Sequence, residues 1–259
     1  MDLGIAGRTA IVCAASKGLG RACAMQLAKE GVNVVISART KADIEATADQ
    51  IRKVANVKVE AIACDVTTDD GRAMILKACP APDIVINNAG GPPPGDFKDF
   101  SLDDWRKAVE WNMITPIAMI KATVYGMMDR KWGRILNITS QSVKAPIASL
   151  ELSNGARSGL TGAIAVIARR AVAHNVTINN ILPGPFETDR LTGSSRRMAE
   201  LQGKSFEEVH KSRKSGVPAG RFGQPEEFGA AAAFMCSAHA GFITGQNLLL
   251  DGGIFPGAL

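Results

Sequence analysis

The fold is indicated first by one stretch near the start of the sequence, Thr9-Ala10-Ile11-Val12-Cys13-Ala14-Ala15-Ser16-Lys17-Gly18-Leu19-Gly20. A short apolar run passes into a turn with two glycines, and an amphipathic segment opens at Gly18. Backbone N–H groups at the start of such a helix can hold a pyrophosphate, Gly18 allows close approach, and Gly20 lets helix and strand pack. The stretch therefore predicts a strand, a turn and a helix that bind a dinucleotide.

Outward from this stretch, short β-branched runs alternate with helical segments along the whole chain. This alternation predicts an α/β fold of Rossmann type, a doubly wound parallel sheet of seven strands with helices on both faces. Predicted helices open at Gly18, after Thr40 as N-cap, after Ser101 with Asp104 three residues on, and at Pro225. The predicted strands are Thr9–Ala14, Asn33–Ser37, Lys58–Ala63, Asp83–Asn87, Arg134–Thr139, Thr177–Leu182 and Asn247–Leu250.

Composition limits the class of protein. A chain of 259 residues that is 46% hydrophobic can bury the core of one large α/β domain, so residues 1–259 are expected to form one unit. Apolar runs stay well short of the ~18 residues of a membrane span, and the first residues lack a basic segment before an apolar stretch. We expect a cytoplasmic protein without membrane contact. Five scattered cysteines predict free thiols and no metal site.

Most of the net charge of +5 lies in one segment, between Arg190 and Pro218. Seven basic and three acidic residues give this segment a net charge of +4, with Phe206 as its single aromatic residue. Nucleic-acid binding favours basic residues interleaved with aromatic ones, so no nucleic-acid partner is expected. The charge indicates either a solvated surface or attraction for an anionic substrate.

The end of the second predicted strand indicates which dinucleotide is bound. No acidic residue occurs between Glu30 and Asp43, where a carboxylate would bind the ribose 2′-hydroxyl of NAD. Arg39 stands there instead, and Lys17 in the glycine turn adds a second cation. Both side chains favour the 2′-phosphate of NADP(H).

Several motifs in order make the chain resemble the short-chain dehydrogenase/reductase family. The family's TGxxxGxG turn aligns with residues 13–20, with Ala14 in place of the first glycine; Asn87-Asn88-Ala89-Gly90 matches NNAG, and residues 183–188 match PGxxxT. The resemblance implies a set of cofactor-binding residues. They are Ala14, Ser16, Lys17, Gly18, Leu19, Gly20, Arg39, Asp65, Val66, Asn88, Ala89, Gly90, Arg157, Pro183, Gly184 and Thr188.

The resemblance implies an Asn-Ser-Tyr-Lys catalytic tetrad, and two of its members differ in this chain. Asn112 and Ser140 match the first two, whereas the tyrosine and lysine positions hold Ser153 and Arg157. A serine hydroxyl is a far weaker acid than a phenol, and a charged arginine cannot pass on a proton. We therefore predict that Ser140 polarises a carbonyl oxygen and that the proton source is nonstandard.

Other candidates for a proton donor are weak. The single tyrosine, Tyr125, lies about three helical turns after Asn112. His174 and His239 precede strands, at the edge of the sheet opposite the expected site. The remaining candidates, near the site or in the basic segment, are Ser142, Lys144, Glu151 and His210.

Taken together, these features predict an NADP(H)-dependent oxidoreductase that interconverts a carbonyl and an alcohol. The resemblance is to 3-oxoacyl carrier-protein reductases, which implies a small-molecule or acyl-carrier substrate and a homodimer or homotetramer. Residues 188–218 are expected to form a substrate lid. Two alternatives stay open at this point: a non-redox lyase or isomerase that uses Ser140, Ser153 and Arg157 as an anion hole, and a catalytically silent NADP(H)-binding sensor or scaffold.

Overall fold

The computed structural model describes residues 1–257 and contains one parallel sheet with the strand order β3-β2-β1-β4-β5-β6-β7. Seven parallel strands confirm the predicted Rossmann-type fold. The first strand is shorter than predicted, because Ala14 has φ +47° and so belongs to the turn. The last two residues of the predicted unit, 258 and 259, lie outside the described residues. The strands are β1 Thr9–Val12, β2 Asn33–Ala38, β3 Val59–Ala63, β4 Ile84–Asn87, β5 Gly133–Ile138, β6 Val176–Pro183 and β7 Asn247–Leu250.

Helices cover both faces of the sheet. Alternate residues of β1 show the two layers: Ala10 and Val12 pack in one apolar cluster, Ile11 and Cys13 in the other. Helices α1, α2 and α9 cover the first face, and α3, α5 and α6 cover the second. The helices are α1 Gly18–Lys29, α2 Lys41–Val54, α3 Asp69–Ala78, α4 Leu102–Val109, α5 Thr115–Asp129, α6 Glu151–Ala171, α7 Asp189–Gln202, α8 Phe206–Ser215 and α9 Pro225–Met235.

The long helix predicted after Ser101 is present but not uniform. Ser101 and Asp104 cap each other reciprocally at its start, as the sequence predicts. Between α4 and α5 the residues Glu110–Ile114 form a π-helical turn. Pro116 has no N–H for the carbonyl four residues earlier, so the α-helical ladder cannot continue through Asn112. The interruption places Asn112 at a widened turn.

A row of asparagine side chains crosses four adjacent strands. Asn87 donates to Asn137 at 2.8 Å, Asn137 to Asn180 at 3.1 Å, and Asn180 to Asn247 at 2.8 Å. The four residues are partners in the strand register of β4, β5, β6 and β7. These bonds satisfy amides that would otherwise be costly to bury. Every bond runs in the same direction, from the middle of the sheet to its edge.

Three expectations from composition can be compared with residues 1–257. All five cysteines are free, and four of them are buried. Burial raises the pKa of the Cys13 and Cys236 thiols to about 12, so both stay protonated. Within this part of the chain no group of acidic, histidine and cysteine side chains has the arrangement of a metal site. None of its helices has the length and apolar character that a membrane crossing requires.

Candidate active site

The predicted site residues gather at the carboxyl edge of the sheet. The glycine turn follows β1, Arg39 follows β2, and Asp65 follows β3. Asn88 comes directly after β4, and Ser140 lies two residues after β5. Pro183 ends β6, and Gly184 and Thr188 follow it. In parallel sheets this edge is where ligands bind, so the topology brings residues distant in sequence to one side of the molecule.

The glycine turn is held in shape by close contacts. A Cβ added at Gly20 would lie 2.4 Å from the Ala14 carbonyl oxygen, and the Asn88 side chain donates to that same oxygen at 3.2 Å. Gly18 has φ +58°. Ala14, at the position of the family's first glycine, also has positive φ, which costs a residue with a Cβ roughly 1–2 kcal/mol. The turn therefore keeps its glycine conformation although its first glycine is replaced.

The start of α1 has the properties of an anion site. Lys17 at its N-cap makes no side-chain capping bond, and no acidic residue lies in the first turn. The first backbone N–H groups of a helix need a partner from outside it. Thr47, buried on α2, donates to the Ser16 carbonyl at 2.9 Å and fixes the turn from behind. These features fit a dinucleotide pyrophosphate at Gly18, Leu19 and Gly20.

Two exposed cations flank the same turn. Lys17 and Arg39 are exposed, and neither forms an ion pair within residues 1–257. Asp65 has one carboxylate oxygen bonded to the backbone and hydroxyl of Thr67, and it is followed by Val66, which is buried. The cation at the end of β2 and the cation in the glycine turn fit the 2′-phosphate of NADP(H), and the hydrogen-bonded turn after β3 fits its adenosine half.

The end of β6 lies close to this cradle. A Cβ at Gly18 would lie 3.6 Å from the Thr188 methyl group, so the two motifs are adjacent. The Thr188 hydroxyl accepts from the Leu191 N–H and caps α7. At Gly184 a Cβ would lie 2.7 Å from Asp251 Cα, which explains why glycine follows Pro183 there. The glycine turn after β1 and the segment after β6 thus form one continuous wall of the candidate cofactor site.

A small recess lies between β4, β5 and the π-helical turn. Five predicted residues line it: Val66, Asn88, Ala89, Asn112 and Arg157. The Asn112 side chain lies 3.4 Å from the Gly90 carbonyl and 3.5 Å from the Ala108 carbonyl, at the long end of hydrogen bonding. Asn112 is thereby tied to the loop after β4, where the family's motif residues Asn88, Ala89 and Gly90 lie.

Ser153 and Arg157 form a buried pair one turn apart on α6. The Arg157 Nε donates to Ser153 Oγ at 3.2 Å, and its Nη1 donates to the Ile138 carbonyl at 2.8 Å. Burial, followed by the positive charge of Arg190, lowers the pKa of Arg157 to about 9. At neutral pH the guanidinium is still charged. Ser153 keeps its own proton available, because its oxygen already accepts from Arg157.

Ser140 has a matching arrangement on the loop after β5. Its Oγ accepts from the Ser142 backbone N–H at 3.1 Å. The Ser140 hydroxyl proton is therefore not used in a hydrogen bond within the loop and can be donated to a ligand. No hydrogen bond joins Ser140 to Ser153 or Arg157 in residues 1–257, so the two hydroxyls are separate donors.

Arg190 also lies at the candidate site, whereas its sequence context indicates only a basic segment. The first turn of α7 holds its guanidinium against Gly91, where a Cβ would lie 2.6 Å from both terminal nitrogens. Partial burial lowers the pKa of Arg190. The residue remains exposed, so it lies at the mouth of the site. The sequence carries no local signal for this contact, because the space at Gly91 is filled by a residue that is distant in sequence.

The other proton-donor candidates lie elsewhere or are already engaged. Tyr125 is 60% exposed on α5. His174 contacts Lys131 and His239 contacts the Asp2 carbonyl, in connections that precede β6 and β7. His210 packs between two aromatic rings, and Glu151 accepts from a backbone N–H of its own loop. Ser142 is buried, and Lys144 packs over an aromatic ring.

Comparisons with known proteins agree with this geometry. A family model described as "Enoyl-(Acyl carrier protein) reductase" matches residues 13–254. An NADPH-dependent reductase of Bacillus subtilis, BacG, is 32% identical over 95% of this chain and 97% of its own. The 3-oxoacyl-[acyl-carrier-protein] reductase FabG of Aquifex aeolicus is 29% identical over 98% of this chain and 100% of its own.

A solved structure shows the same architecture. L-sorbose reductase from Gluconobacter frateurii, in complex with NADPH and L-sorbose, matches with a TM-score of 0.93 at 26% identity, over 99% of this chain and 100% of its own. These relatives are reductases, and two of the three are described with NADPH, the cofactor that the sequence predicts. With a family model that spans nearly the whole chain, the protein belongs to the short-chain dehydrogenase/reductase family.

Proposed function

We propose that the protein is an NADP(H)-dependent oxidoreductase that interconverts a carbonyl and an alcohol on an anionic or acyl-type substrate. The observation that carries this proposal is the pair of hydroxyls, Ser140 and Ser153, next to a dinucleotide cradle. Each oxygen accepts from an N–H group, which leaves both hydroxyl protons for a substrate oxygen. A bound NADPH would supply hydride to the carbonyl carbon of the substrate.

The chain's own residues would bind the substrate and stabilise its oxygen. Ser140 and Ser153 donate hydrogen bonds to the carbonyl oxygen as negative charge develops, and the Arg157 cation supports Ser153 from behind. The oxygen then takes its proton from solvent, because no phenol is positioned to provide it. The first turn of α1 would hold the cofactor, with Arg39 and Lys17 at its 2′-phosphate and Thr188 at its nicotinamide end.

Further predictions accompany this function. Residues 188–218, which contain α7 and α8, close over the substrate as a lid. Arg213 on α8 donates to Ser195 on α7, so the two helices would move together. Lys214 on α8 lies 3.4 Å from Glu187, just before this segment. The homodimer or homotetramer and the cytoplasmic location also stay predictions.

Spectrophotometry of NADPH with a panel of carbonyl compounds tests the reductase function directly. Ser140→Ala should lower kcat by about 100-fold or more, the usual cost of an oxyanion donor, with NADPH affinity unchanged. Ser142→Ala is the matched control, since its backbone N–H is retained and its hydroxyl has no assigned role. Tight NADPH binding without turnover across the panel would favour the silent sensor, and turnover without NADPH oxidation would favour the lyase or isomerase.

Cofactor preference is a separate test. NADPH should bind at least ~10-fold more tightly than NADH, because Arg39 and Lys17 engage the 2′-phosphate with charge-assisted bonds. Arg39→Asp should reverse the preference in calorimetry. Lys53→Asp makes the same charge change at an exposed position near the end of α2 and should leave the preference intact. Equal affinities of the unaltered protein for the two cofactors would contradict this assignment.

Restoring the family's residues tests the nonstandard proton source. Ser153→Tyr combined with Arg157→Lys should raise reductase activity towards a simple ketone, because a phenol next to a lysine supplies the missing acid. Comparison with each single variant separates the phenol from the change of cation. A double variant that binds NADPH normally and gains nothing would show that the pocket serves other chemistry.

A further inference from the structure

Two arginine side chains, Arg157 on α6 and Arg190 on α7, lie on two sides of the loop after β4. The Arg190 guanidinium lies against Gly91, and the neighbouring Gly90 carbonyl lies 3.4 Å from the Asn112 side chain, which lines the same recess as Arg157. In agreement with this placement, the positive charge of Arg190 lowers the pKa of Arg157. In residues 1–257 neither guanidinium forms an ion pair. Two close cations without a counter-charge oppose each other, and an anion between them would stabilise both.

The acidic residues nearest in sequence form no ion pair with either arginine within residues 1–257. Glu187 pairs with Lys214 and lies 3.7 Å from His210. Glu151 accepts a hydrogen bond from the Ser149 N–H. Asp189, next to Arg190, is exposed to solvent in the first turn of α7. The counter-charge of the two arginines is therefore left to a ligand.

Both guanidiniums keep hydrogen-bond donors for that ligand. Arg157 uses two of its five N–H donors, one to Ser153 Oγ and one to the Ile138 carbonyl. Arg190 makes no hydrogen bond in the described part of the chain, and the missing side chain of Gly91 gives its guanidinium room. A planar guanidinium binds a carboxylate in a fork of two parallel bonds. The remaining donors thus suit a carboxylate near the reacting carbonyl.

We propose that Arg157 and Arg190 together bind a carboxylate of the substrate, which makes the substrate a small carboxylated carbonyl compound such as a 2-oxo acid. This inference rests on the proposed function and narrows its substrate class. An acyl chain on a carrier protein presents a neutral thioester at this place and leaves both cations without a partner. The diphosphate of the cofactor is the other anion within reach, so the test separates the two.

Oxalate is a suitable probe, because it is a small dicarboxylate and resembles a carboxylate next to a carbonyl group. Calorimetry on the protein with and without NADP+ should show oxalate binding, weakened at least ~10-fold by Arg190→Gln through the loss of a charge-assisted fork. Arg197→Gln makes the same change at an exposed position of α7 and should keep the original affinity. NADPH affinity should be equal in all three proteins.

Kinetics with matched substrates provides the second arm. A series of 2-oxo acids, each paired with its methyl ester, should show higher kcat/KM for the acids, and Arg190→Gln should bring the ratio close to one. Equal oxalate affinity of the original protein and Arg190→Gln would overturn the carboxylate site. A loss of NADPH affinity in Arg190→Gln as large as that for oxalate would assign the anion to the cofactor. Failure of the original protein to bind NADPH contradicts the proposed function instead, and oxalate binding without cofactor still tests the two arginines.

Discussion

Two buried arginines near opposite ends of β5 differ in how many of their N–H donors are used: Arg134 belongs to the strand, and Arg157 reaches its last carbonyl, that of Ile138, from α6. Arg134, at the start of β5, is 1% exposed and donates to the carbonyls of Ser237, Gly133 and Asn175 at 2.8–2.9 Å. It also packs over the Trp132 ring. Arg157, on α6 beside the end of β5, makes two hydrogen bonds, to Ser153 and to the Ile138 carbonyl, and has the Arg190 cation nearby. Burial lowers the pKa of both. Unused donors, rather than burial, therefore distinguish the arginine suited to a ligand.

The largest expected effect is on stability, at Arg134. Arg134→Met would leave the buried carbonyls of Ser237 and Gly133 without this donor, so the free energy of unfolding should fall by about 3–5 kcal/mol. Chemical denaturation measures this change. Arg106→Met, at an exposed residue that pairs with Asp103, should change it by less than about 1 kcal/mol. If Arg134→Met were as stable as Arg106→Met, the contrast between the two ends of β5 would fail.

Arg157→Met should show the reverse pattern. The loss of the bonds to Ser153 and to the Ile138 carbonyl is offset by the removal of a buried charge without a counter-charge, so stability should stay within about 1 kcal/mol. Turnover should fall by about 10-fold or more, because the oxygen of the substrate loses electrostatic support. Arg169→Met, an exposed cation on the same helix, is the control for both measurements. A severe loss of stability would make Arg157 a structural residue like Arg134.

The smallest effect is the pH dependence of Arg157. Its charge is present below a pKa of about 9 and is lost as the pH rises through that value. The pH profile of kcat/KM should therefore decline above pH 9, and Arg157→Met should lack this decline. Stability has the opposite sign: above a pH of about 9 the unfolded chain binds this proton more strongly than the folded chain, so folding becomes more favourable as the pH rises. A profile with no alkaline decline would show that the charge has no part in turnover.

The sequence predicted the fold, and it predicted that the motif residues gather at one edge of the sheet, for a clear physical reason. Hydrophobic alternation and glycine turns are local, and the topology of a parallel sheet brings their ends together. Arg190 could not be recognised in this way, because its place depends on Gly91, which is about 100 residues away. The hydrogen bonds of Asn137 and Asn180 likewise depend on the pairing of β4, β5, β6 and β7. The positive φ of Ala14 was missed because the apolar run continues past the end of β1.

The asparagine row has a consequence for assembly of the sheet. A one-residue slip of β5 would turn the Asn137 amide to the other face and break its bonds to both Asn87 and Asn180. Apolar strands alone would accept several alignments, because their side chains are interchangeable. The asparagine row is satisfied by only one alignment. It therefore disfavours misaligned strands, and the loops after β4, β5 and β6 reach the site in their correct relative positions.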